Sequence, residues 1–561
     1  MKTNLHASRR STRPGWPVVS FLLLAFAGPA CAAPIDKPPV EKQTFALAMR
    51  DGVKLGTDVY LPSTNGAFPV LLARTPYNKA IATGQGEDGA RHGYITVIQD
   101  TRGRFASEGA NLAFDADVED GYDTVEWIVR QPWCNGKLGT FGGSAGAITQ
   151  MLLANSGHTN VVSQHLTVGA PSLYFDVVYG NGVFRKALAE DWLRITMFSP
   201  DALKLWTGHP AHDDYWRAHE LTEHYGRVRA AAVHIGGYFD IFAQGAIDAF
   251  VGYQEQGGPG ARGQQKLIMG PWTHGVFMEK SGELTFPNAK RPPNNVRDQW
   301  RWFDHTLKGV DNGINREPAV SYYVMGDTSD TNAPGNTWRT ATQWPPVSAA
   351  PTSFYLHADH TVSRTKPGAA PPLSYSFDPT NPVPSLGGPQ LTIPAGPKDQ
   401  RAIEGRPDLL VFTSEALTEP LEITGRVRAK IWAASDGLDT DFFVRLCDVY
   451  PDGRSFNICE GRIRARFRES FVQEKPLKPG EVCPFDLDLW STSIIFNQGH
   501  RLRVQVTSSS APGFDPNPNT GEPFRHSAAT RVARNTVYCD AGHPSQLLLP
   551  VVAVERKPGG S

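Results

Sequence analysis

The sequence predicts a doubly wound α/β sheet followed by an all-β sandwich of the jelly-roll type. Up to about residue 346, short apolar runs that are typical of buried parallel strands alternate with amphipathic helical segments. From about residue 408 onward, runs of alternating apolar and polar residues recur between turns. A chain of 561 residues is also too long for one ordinary core, which agrees with at least two domains.

The strands of the first domain are predicted from four runs that are short, apolar and bounded by turn residues: FPVLLART, YITVIQDT, AAVHIGGY and QQKLIMG. Between the second strand and Ser144, Val118, Tyr122 and Val125 recur at helical spacing. Two segments at about 174–228, FRKALAEDWLRITMF and DDYWRAHELTEHYGRV, look helical and interrupt the alternation. We expect them to form a helical cap inserted between strands of the sheet.

The second domain is predicted to begin at residue 408. The preceding segment, 347–407, is rich in proline and glycine and has no period, so we interpret it as a crossing between the domains. Within RLRVQVTSSS, Leu502, Val504 and Val506 fall on one face, which is typical of a half-buried antiparallel strand.

The N-terminus predicts a secretory signal over residues 1–32. Basic residues precede the apolar run VVSFLLLAFAG, and Ala30 and Ala32 occupy the positions that a signal peptidase reads. We therefore expect an exported protein, periplasmic or extracellular, whose first domain spans 33–346.

The net charge of the chain limits which classes of ligand it is expected to bind. The formal net charge of −1 provides no excess field to hold nucleic acid or an anionic membrane, and we expect neither as a partner. A small-molecule or short-peptide substrate is the expected ligand. The oligomeric state is not predicted.

The cysteines leave one question open. Cys447 and Cys459 lie in neighbouring strand-like segments on either side of YPDGRS. They either form a disulfide in an oxidising compartment or remain two buried thiols.

Ser144 is the first candidate for chemistry. In GTFGGSAGAITQ it follows the short run KLGTF and precedes Ile148, Met151 and Leu152, which share one helical face. This is the strand, tight turn and helix that a nucleophilic serine of the Gly-x-Ser-x-Gly type requires. The small neighbours allow a sharp turn, and the amides at the helix N-terminus favour a developing negative charge.

A nucleophilic serine needs a base, and the base needs an orienting carboxylate. Asp240 follows the strand-like run AAVHIGGY, and His274 follows the next such run. The order serine, acid, histidine along the chain is the order expected for this kind of sheet. We therefore predict a Ser144, Asp240, His274 triad at the carboxyl edge of the strands.

Two other candidate catalytic sites, a zinc site and a cysteine nucleophile, are less favoured by the sequence. HELTEH, residues 219–224, is similar to a zinc-protease helix, but His219 and His224 are five residues apart rather than the four that place both on one metal. Cys134 has no directly adjacent cationic residue that would lower its pKa. We expect a solvated helix face and an unreactive thiol.

Many motifs of the chain resemble one known family, the cocaine esterase and Xaa-Pro dipeptidyl-peptidase type of serine hydrolase. They cover nearly the whole chain after the signal: MRDGVKLGTDVYLP, RTPYNK, DTRGRFASEG, QPWCNGKLGTFGGSAG, GGYFD, GPWTHG, DPTNPVP, DFFVRLCDVYPDGRS and GHRLRVQVTSSSAPGFDPNPNTG. The resemblance implies an α/β-hydrolase domain with a helical cap and a C-terminal jelly roll, carrying the same triad.

The resemblance also assigns roles that the residues alone do not reveal. It implies that the Tyr77 hydroxyl and the Ala145 backbone N–H form the oxyanion hole, and that Phe242 lines the acyl pocket. Where the family commonly has tyrosine after the serine, this chain has Ala145, which implies a roomier acyl site. Ala147 stands where related amino acid ester hydrolases carry a carboxylate for the substrate amine, so recognition of an α-amino group is not expected unless Asp191, Asp213 or Asp214 of the cap supplies it.

We therefore predict a serine hydrolase that cleaves an ester or amide of a small acyl substrate through an acyl-enzyme. The alternative within the same chemistry is an Xaa-Pro dipeptidyl-peptidase. The alternative from another class is a ligand-binding scaffold with an inactive hydrolase domain, against which the intact candidate residues argue. No metal or organic cofactor is implied.

Overall fold

The computed structural model describes residues 40–62, 64–293, 295–346 and 349–553. The predicted signal at 1–32 lies outside the described residues. Within the described part of the chain, no helix combines the length and the apolar character needed to cross a membrane.

The first domain is built on a ten-stranded mixed sheet, with parallel pairing from β4 through β13 and antiparallel strands at both ends. The strand order is β1-β2-β4-β3-β5-β6-β9-β10-β13-β14, and two short hairpins, β7-β8 and β11-β12, lie outside it. The bounds are β1 (Glu41–Ala48), β2 (Lys54–Leu61), β3 (Phe68–Thr75), β4 (Ile95–Asp100), β5 (Cys134–Gly143), β6 (Val161–Thr167), β7 (Tyr179–Gly180), β8 (Val183–Phe184), β9 (Ala231–Gly237), β10 (Lys266–Gly270), β11 (Lys280–Ser281), β12 (Leu284–Thr285), β13 (Val320–Val324) and β14 (Thr337–Ala341).

The helices follow the strands as the periodicity predicts. They are α1 (Thr83–Arg91), α2 (Asp117–Val129), α3 (Ala145–Asn155), α4 (Lys186–Ile195), α5 (Pro200–Gly208), α6 (Asp214–Ala218), α7 (Ala243–Gln256), α8 (Gln299–Lys308) and the short α9 (Arg401–Glu404). A π-helical turn at Leu173–Val178 leads into the cap. The sequence-based expectation of an α/β fold with an inserted helical segment is confirmed.

One predicted helix is much shorter in the structure. The segment 213–228 was expected to be helical, but α6 ends at Ala218, and only a 3₁₀ turn at Tyr225–Arg227 follows. The reason is that side chains of the intervening residues bond to distant parts of the chain. His219 Nε2 contacts the carbonyl of Asp115 at 2.9 Å, and the buried Glu220 accepts a hydrogen bond of 2.6 Å from Ser172.

The second domain is a sandwich of a seven-stranded and a four-stranded sheet. The larger sheet has the order β16-β15-β25-β19-β24-β17 with β22 also paired to β19, and the smaller sheet has the order β18-β23-β20-β21. The strands are β15 (Ala349–Leu356), β16 (Val362–Ser363), β17 (Leu373–Phe377), β18 (Leu409–Thr413), β19 (Leu421–Ser435), β20 (Asp441–Val449), β21 (Ser455–Arg464), β22 (Cys483–Phe496), β23 (Arg501–Thr507), β24 (Ala533–Tyr538) and β25 (Gln546–Val552). Leu502, Val504 and Val506 are fully buried on β23, as the alternation predicts.

The predicted crossing at 347–407 is wrong in part. β15, β16 and β17 lie within it, and β15 pairs with β25 while β17 pairs with β24. The sandwich therefore begins at Ala349 rather than at residue 408. The proline and glycine content of the remaining stretch masked these short strands, because their partners are distant in sequence.

A continuous apolar core joins the two domains. Tyr322 and Met269 of the first sheet pack in the same buried cluster as Ile431 and Val504 of the sandwich. Backbone hydrogen bonds cross the boundary as well: the amide of Met325 donates to Ser493, and the amide of Ile495 donates to Met325, both at 2.9 Å. The sandwich thus covers one end of the hydrolase sheet.

The described cysteines are free thiols. Across the β20/β21 ladder, Cys447 lies opposite Asn457 and Cys459 lies opposite Leu446, with a register shift between Leu446 and Cys447. Burial raises the pKa of both thiols. The structure therefore has the second of the two alternatives, two unpaired thiols, of which Cys447 is buried and Cys459 is half-buried.

A buried histidine also ties the domains together. His500 Nδ1 lies 2.8 Å from Asp448 of β20, and its Nε2 lies 3.2 Å from Asp327, which follows β13. Burial disfavours the imidazolium, but the hydrogen bonds and charges of the two carboxylates outweigh it and raise the pKa of His500 above its usual value.

Replacement of His500 by glutamine is expected to destabilise the protein most at pH 6. A histidine whose pKa is raised by folding stabilises fully below its unfolded pKa of about 6.5, and this contribution is lost as the pH rises through the folded value. Removal of one member of a buried charge pair costs about 3 kcal/mol. Thermal melts of both proteins between pH 6 and pH 9 measure the effect, and a difference that grows toward pH 9 would contradict it.

Candidate active site

Ser144 lies on a sharp turn between β5 and α3. It is a non-glycine residue with φ 57° and ψ −124°, and its amide donates a 2.9 Å hydrogen bond to the carbonyl of Thr167 on β6. Gly142 makes the turn possible, because its φ is 144° and a Cβ there would lie 3.1 Å from the carbonyl oxygen of Gly146. The small residues around Ser144 are thus a steric requirement of the turn.

Ser144, His274 and Asp240 form one hydrogen-bonded line. His274 Nε2 lies 2.8 Å from Ser144 Oγ, and His274 Nδ1 lies 2.6 Å from Asp240 Oδ2. The Asp240 side chain is fully buried, while that of His274 keeps 12% of its surface exposed. The other carboxylate oxygen, Oδ1, accepts a 2.8 Å hydrogen bond from the Phe242 amide, which fixes the carboxylate plane.

The sheet brings Asp240 and His274 together. β9 and β10 are parallel neighbours, and the loops after them bond to each other: the amides of Tyr238 and Phe239 donate to the carbonyls of Gly270 and Trp272, each at 2.9 Å. A Cβ at Gly237 would lie 2.3 Å from the Trp272 carbonyl oxygen, so this close approach requires glycine. The hydrogen bonds between these two loops hold Asp240 and His274 at a fixed separation.

Tyr77 lies on the loop after β3, and its phenol contacts the Ser144 turn. Burial raises the pKa of the Tyr77 phenol against the opposing effect of its hydrogen bonds with Trp192, the Ser144 side chain and the Ala145 amide. Trp192 Nε1 donates to the Tyr77 hydroxyl at 3.1 Å. Sequence reasoning did not find Trp192, since it lies on α4 of the cap and has no motif of its own.

An apolar pocket adjoins Ser144. The residues that line it come from the loop before α2, the Ser144 turn with the start of α3, the cap, the Asp240 loop and the segment before α9. They are Phe114, Ser144, Ala145, Ile148, Val177, Leu188, Ala189, Trp192, Ile241, Phe242 and Leu391. No ionisable side chain is among them. Phe242 lines the pocket, and its ring meets the His274 ring edge to face at 5.7 Å. Leu391 belongs to the segment that was interpreted only as a crossing.

The pocket beside Ser144 is narrow. Its volume is ≈ 20 Å³, about the space of one water molecule. The rings of Phe114 and Trp192 stack at 5.6 Å with an interplanar angle of 3° and occupy part of the space beside Ser144. Aromatic side chains from the cap and from the loop before α2 therefore narrow the space beside Ser144.

Ala147 does not face the pocket. It is fully buried in a different cluster, with Met151 and Leu166, and its Cβ lies against Gly169. A carboxylate at this position would therefore enter the core of this fold. That the missing carboxylate at residue 147 disfavours amine binding stays a prediction, and the residues that line the pocket supply no carboxylate either.

The carboxylates of the cap that were considered for amine binding are engaged elsewhere or exposed. Asp191 accepts hydrogen bonds from Thr392 and Arg194, and Asp213 caps α6 and contacts His209 at 2.6 Å. The Asp214 side chain is fully exposed. None of the three lines the pocket.

HELTEH does not form a zinc helix in this structure, because only His219 adjoins α6. Both ring nitrogens of His219 contact backbone carbonyls, those of Tyr215 at 2.7 Å and of Asp115 at 2.9 Å. Among the residues that the structure describes, no group of three or more His, Cys, Asp or Glu side chains is arranged to hold a metal ion.

Comparison with known proteins adds independent findings. The model of the S15 family of X-Pro dipeptidyl-peptidases matches residues 51–202 and 197–276, and the model of the X-Pro dipeptidyl-peptidase C-terminal non-catalytic domain matches residues 312–548. The cocaine esterase of Rhodococcus sp. (strain MB1 Bresler) is 32% identical over 571 residues, which cover 90% of this chain and 97% of that protein. A putative serine esterase of Mycobacterium bovis is 27% identical over 90% of this chain and 94% of its own length.

Two solved structures share the fold over nearly their whole length. The aminopeptidase of a marine sediment archaeon, Thaumarchaeota archaeon, superposes with a TM-score of 0.77 at 25% identity over 94% of this chain and 98% of that chain. An α-amino acid ester hydrolase superposes with a TM-score of 0.77 at 26% identity over 95% of this chain and 100% of that chain.

Fold and relatives together define a serine hydrolase with an α/β-hydrolase domain and a C-terminal jelly roll. Within that class, the chain belongs to the cocaine esterase and Xaa-Pro dipeptidyl-peptidase family.

Proposed function

We propose that this serine hydrolase is an exported esterase that transfers a short, uncharged acyl group to Ser144 and then to water. The observation that carries the proposal is the pocket beside Ser144, whose lining contains no ionisable side chain and whose volume is ≈ 20 Å³. An acyl group with a charged atom would lose its hydration there without gaining a partner. The narrow, apolar lining instead favours a short and uncharged acyl group.

The first half of the reaction forms the acyl-enzyme. Ser144 Oγ attacks the ester carbonyl while its proton passes to His274 Nε2, 2.8 Å away. Asp240, bonded to Nδ1, holds the ring and stabilises the imidazolium. When the tetrahedral intermediate collapses, the bond to the alcohol oxygen breaks, and the alcohol leaves with the proton from Nε2.

The second half releases the acyl group. Water gives a proton to His274 Nε2 as its oxygen attacks the acyl carbon, and the proton passes to Ser144 Oγ when the carboxylic acid leaves. In both halves the carbonyl oxygen becomes negative. The Tyr77 O–H and the Ala145 N–H stabilise that charge, since both groups lie at the Ser144 turn at the N-terminus of α3.

Cleavage of dipeptides from an Xaa-Pro N-terminus is the second candidate, because the matching family models and several relatives carry that name. Such a reaction needs a negative group near the acyl site to hold the free amine. The cap carboxylates Asp191, Asp213 and Asp214 are outside the pocket, which favours the esterase.

Two matched chromogenic substrates test the proposal: p-nitrophenyl acetate and Gly-Pro p-nitroanilide with a free amine. We expect the purified protein to cleave the ester in preference to the amide. Ser144→Ala is expected to reduce kcat by about 10⁴-fold or more, because the nucleophile and the base act as a unit. A fluorophosphonate is expected to label the native protein and not the variant.

The matched control is Ser156→Ala, a serine at the far end of α3 that is expected to leave kcat unchanged. Preferential cleavage of the Gly-Pro amide would establish the dipeptidyl-peptidase instead. A folded protein that reacts with neither substrate and is not labelled at Ser144 would favour the ligand-binding scaffold.

The size of the pocket predicts the acyl preference. Leu391→Ala is expected to raise kcat/KM for the p-nitrophenyl ester of octanoic acid relative to the acetate by about 10-fold, since loss of a buried leucine side chain opens space worth a few methylene groups. The ratio of the two kcat/KM values measures the effect. Leu386→Ala, a change in the same segment outside the pocket lining, is the control. An unchanged ratio in Leu391→Ala would contradict the assignment of this pocket to the acyl group.

Export rests on the basic and apolar residues at the N-terminus and on the Ala30 and Ala32 pair. We expect the full chain, expressed in a bacterium, to be recovered outside the cytoplasm with Ala33 as its first residue, and N-terminal sequencing of the purified protein checks this. Ala32→Leu is expected to block processing. An uncleaved cytoplasmic protein would contradict export.

A further inference from the structure

The hydrogen bond between Trp192 and Tyr77 sets the direction of the phenol proton. An indole N–H is a donor only, so in the 3.1 Å contact the Tyr77 oxygen accepts. The phenol proton is then directed to the other side, where the phenol also forms a hydrogen bond with the Ser144 side chain. In the proposed reaction, the acceptor of this proton becomes the carbonyl oxygen as it becomes negative. The cap thus contributes to the oxyanion hole through the end of α4.

Arg104 connects the same two parts of the molecule. Its guanidinium donates from Nε to the carbonyl of Pro76, directly before Tyr77, at 3.0 Å. Its other nitrogens donate to the carbonyl of Met197 at 2.9 Å and to that of Thr196, both at the C-terminal end of α4. The residue is 4% exposed. One side chain therefore fastens the Tyr77 loop to the helix that carries Trp192.

We propose that Arg104 is a positioning residue of the oxyanion hole, which holds the Tyr77 loop and the cap helix at the separation at which Trp192 orients the Tyr77 hydroxyl. The inference rests on the proposed function, since it takes Tyr77 to be an oxyanion donor. Arg104 touches neither the substrate nor Ser144, and its effect passes through Tyr77.

The surroundings of Arg104 show how firmly it is held. Its guanidinium stacks on the Phe198 ring at 4.3 Å and donates to Asn111 Oδ1 at 3.1 Å. The backbone is strained on both sides of the contact, with φ 60° at Met197 and φ 45° at Phe105. Strain of this kind persists only where the surrounding contacts fix it. These contacts therefore fix the position of the loop that carries Arg104, in addition to stabilising it.

The positive charge of Arg104 also acts on Tyr77. Although burial raises the pKa of the Tyr77 phenol, the nearby guanidinium opposes that rise. A phenol beside a cation is a stronger donor to a negative oxygen. The carboxylate of Asp100 faces the guanidinium too, and burial raises the pKa of that carboxyl group. The position and the charge of Arg104 therefore both favour donation of a hydrogen bond from the Tyr77 hydroxyl to the carbonyl oxygen.

A double-mutant cycle separates positioning from general stability. Tyr77→Phe is expected to lower kcat for p-nitrophenyl acetate by about 100-fold, as loss of an oxyanion donor does. Arg104→Met is expected to lower kcat by about 10-fold with KM within two-fold, because a small displacement of a catalytic group lowers the rate strongly. In the Tyr77→Phe background, Arg104→Met is expected to lower kcat by less than two-fold.

The control is Arg102→Met in the same loop. Arg102 forms ion pairs with Asp51 and Asp120, and neither carboxylate lies on the Tyr77 loop. Its effect on kcat is expected to be within two-fold in both backgrounds. Thermal melts of all variants show that the compared proteins are folded. If Arg104→Met does not fold, Arg104→Lys takes its place, because lysine keeps the charge but cannot reach all three carbonyls at once.

The outcomes are distinct. A large loss from Arg104→Met that is equal in both backgrounds would overturn the positioning role and leave the proposed function intact. An unchanged kcat in Tyr77→Phe would instead overturn Tyr77 as the oxyanion donor. A loss for Arg104→Met that appears only with Tyr77 present, together with a neutral Arg102→Met, supports the proposal.

Discussion

The left-handed backbone at Ser144 is the constraint on which the rest of the site depends. A non-glycine residue at φ 57° costs about 1–3 kcal/mol and needs surroundings that fix it. Two features do so here: the hydrogen bond from its amide to Thr167 on the next strand, and the start of α3 directly after it. The strain lifts Ser144 Oγ above the sheet edge, where His274 reaches it.

The sequence could predict the triad because topology decides it. Residues that follow consecutive parallel strands must share one edge of the sheet, so Asp240 and His274 were predictable from their place after β9 and β10. Tyr77 and the Ala145 amide entered only through the family resemblance, because nothing in RTPYNK itself distinguishes a donor from a turn tyrosine.

The residues that escaped prediction come from segments without periodic signals. Trp192 lies in an amphipathic helix whose pattern does not distinguish it from a core residue, and Leu391 lies in a stretch dominated by proline and glycine. Their roles depend on how the cap and the jelly roll pack on the sheet. For the same reason, β15 and β17 were missed: each pairs with a strand more than 100 residues later in the chain, and such pairing leaves no local trace. The short extent of α6 has a related origin, since His219 and Glu220 bond to distant groups instead of continuing a helix.

The arrangement of polarity explains what the site can discriminate. In the proposed reaction, the groups that hydrogen-bond to the substrate converge on Ser144, while the lining of the pocket beyond it has no ionisable side chain. Contacts of this kind distinguish acyl groups by size, and one methylene changes binding by only about 1–3 kcal/mol. They reject charge much more strongly, because a buried ion without a partner is very unfavourable. Such a pocket discriminates weakly among short uncharged acyl groups and strongly against charged acyl groups. If the proposed reaction is correct, its rate depends on the alignment of Tyr77 and the triad, which contacts from the sheet and from the cap hold in place.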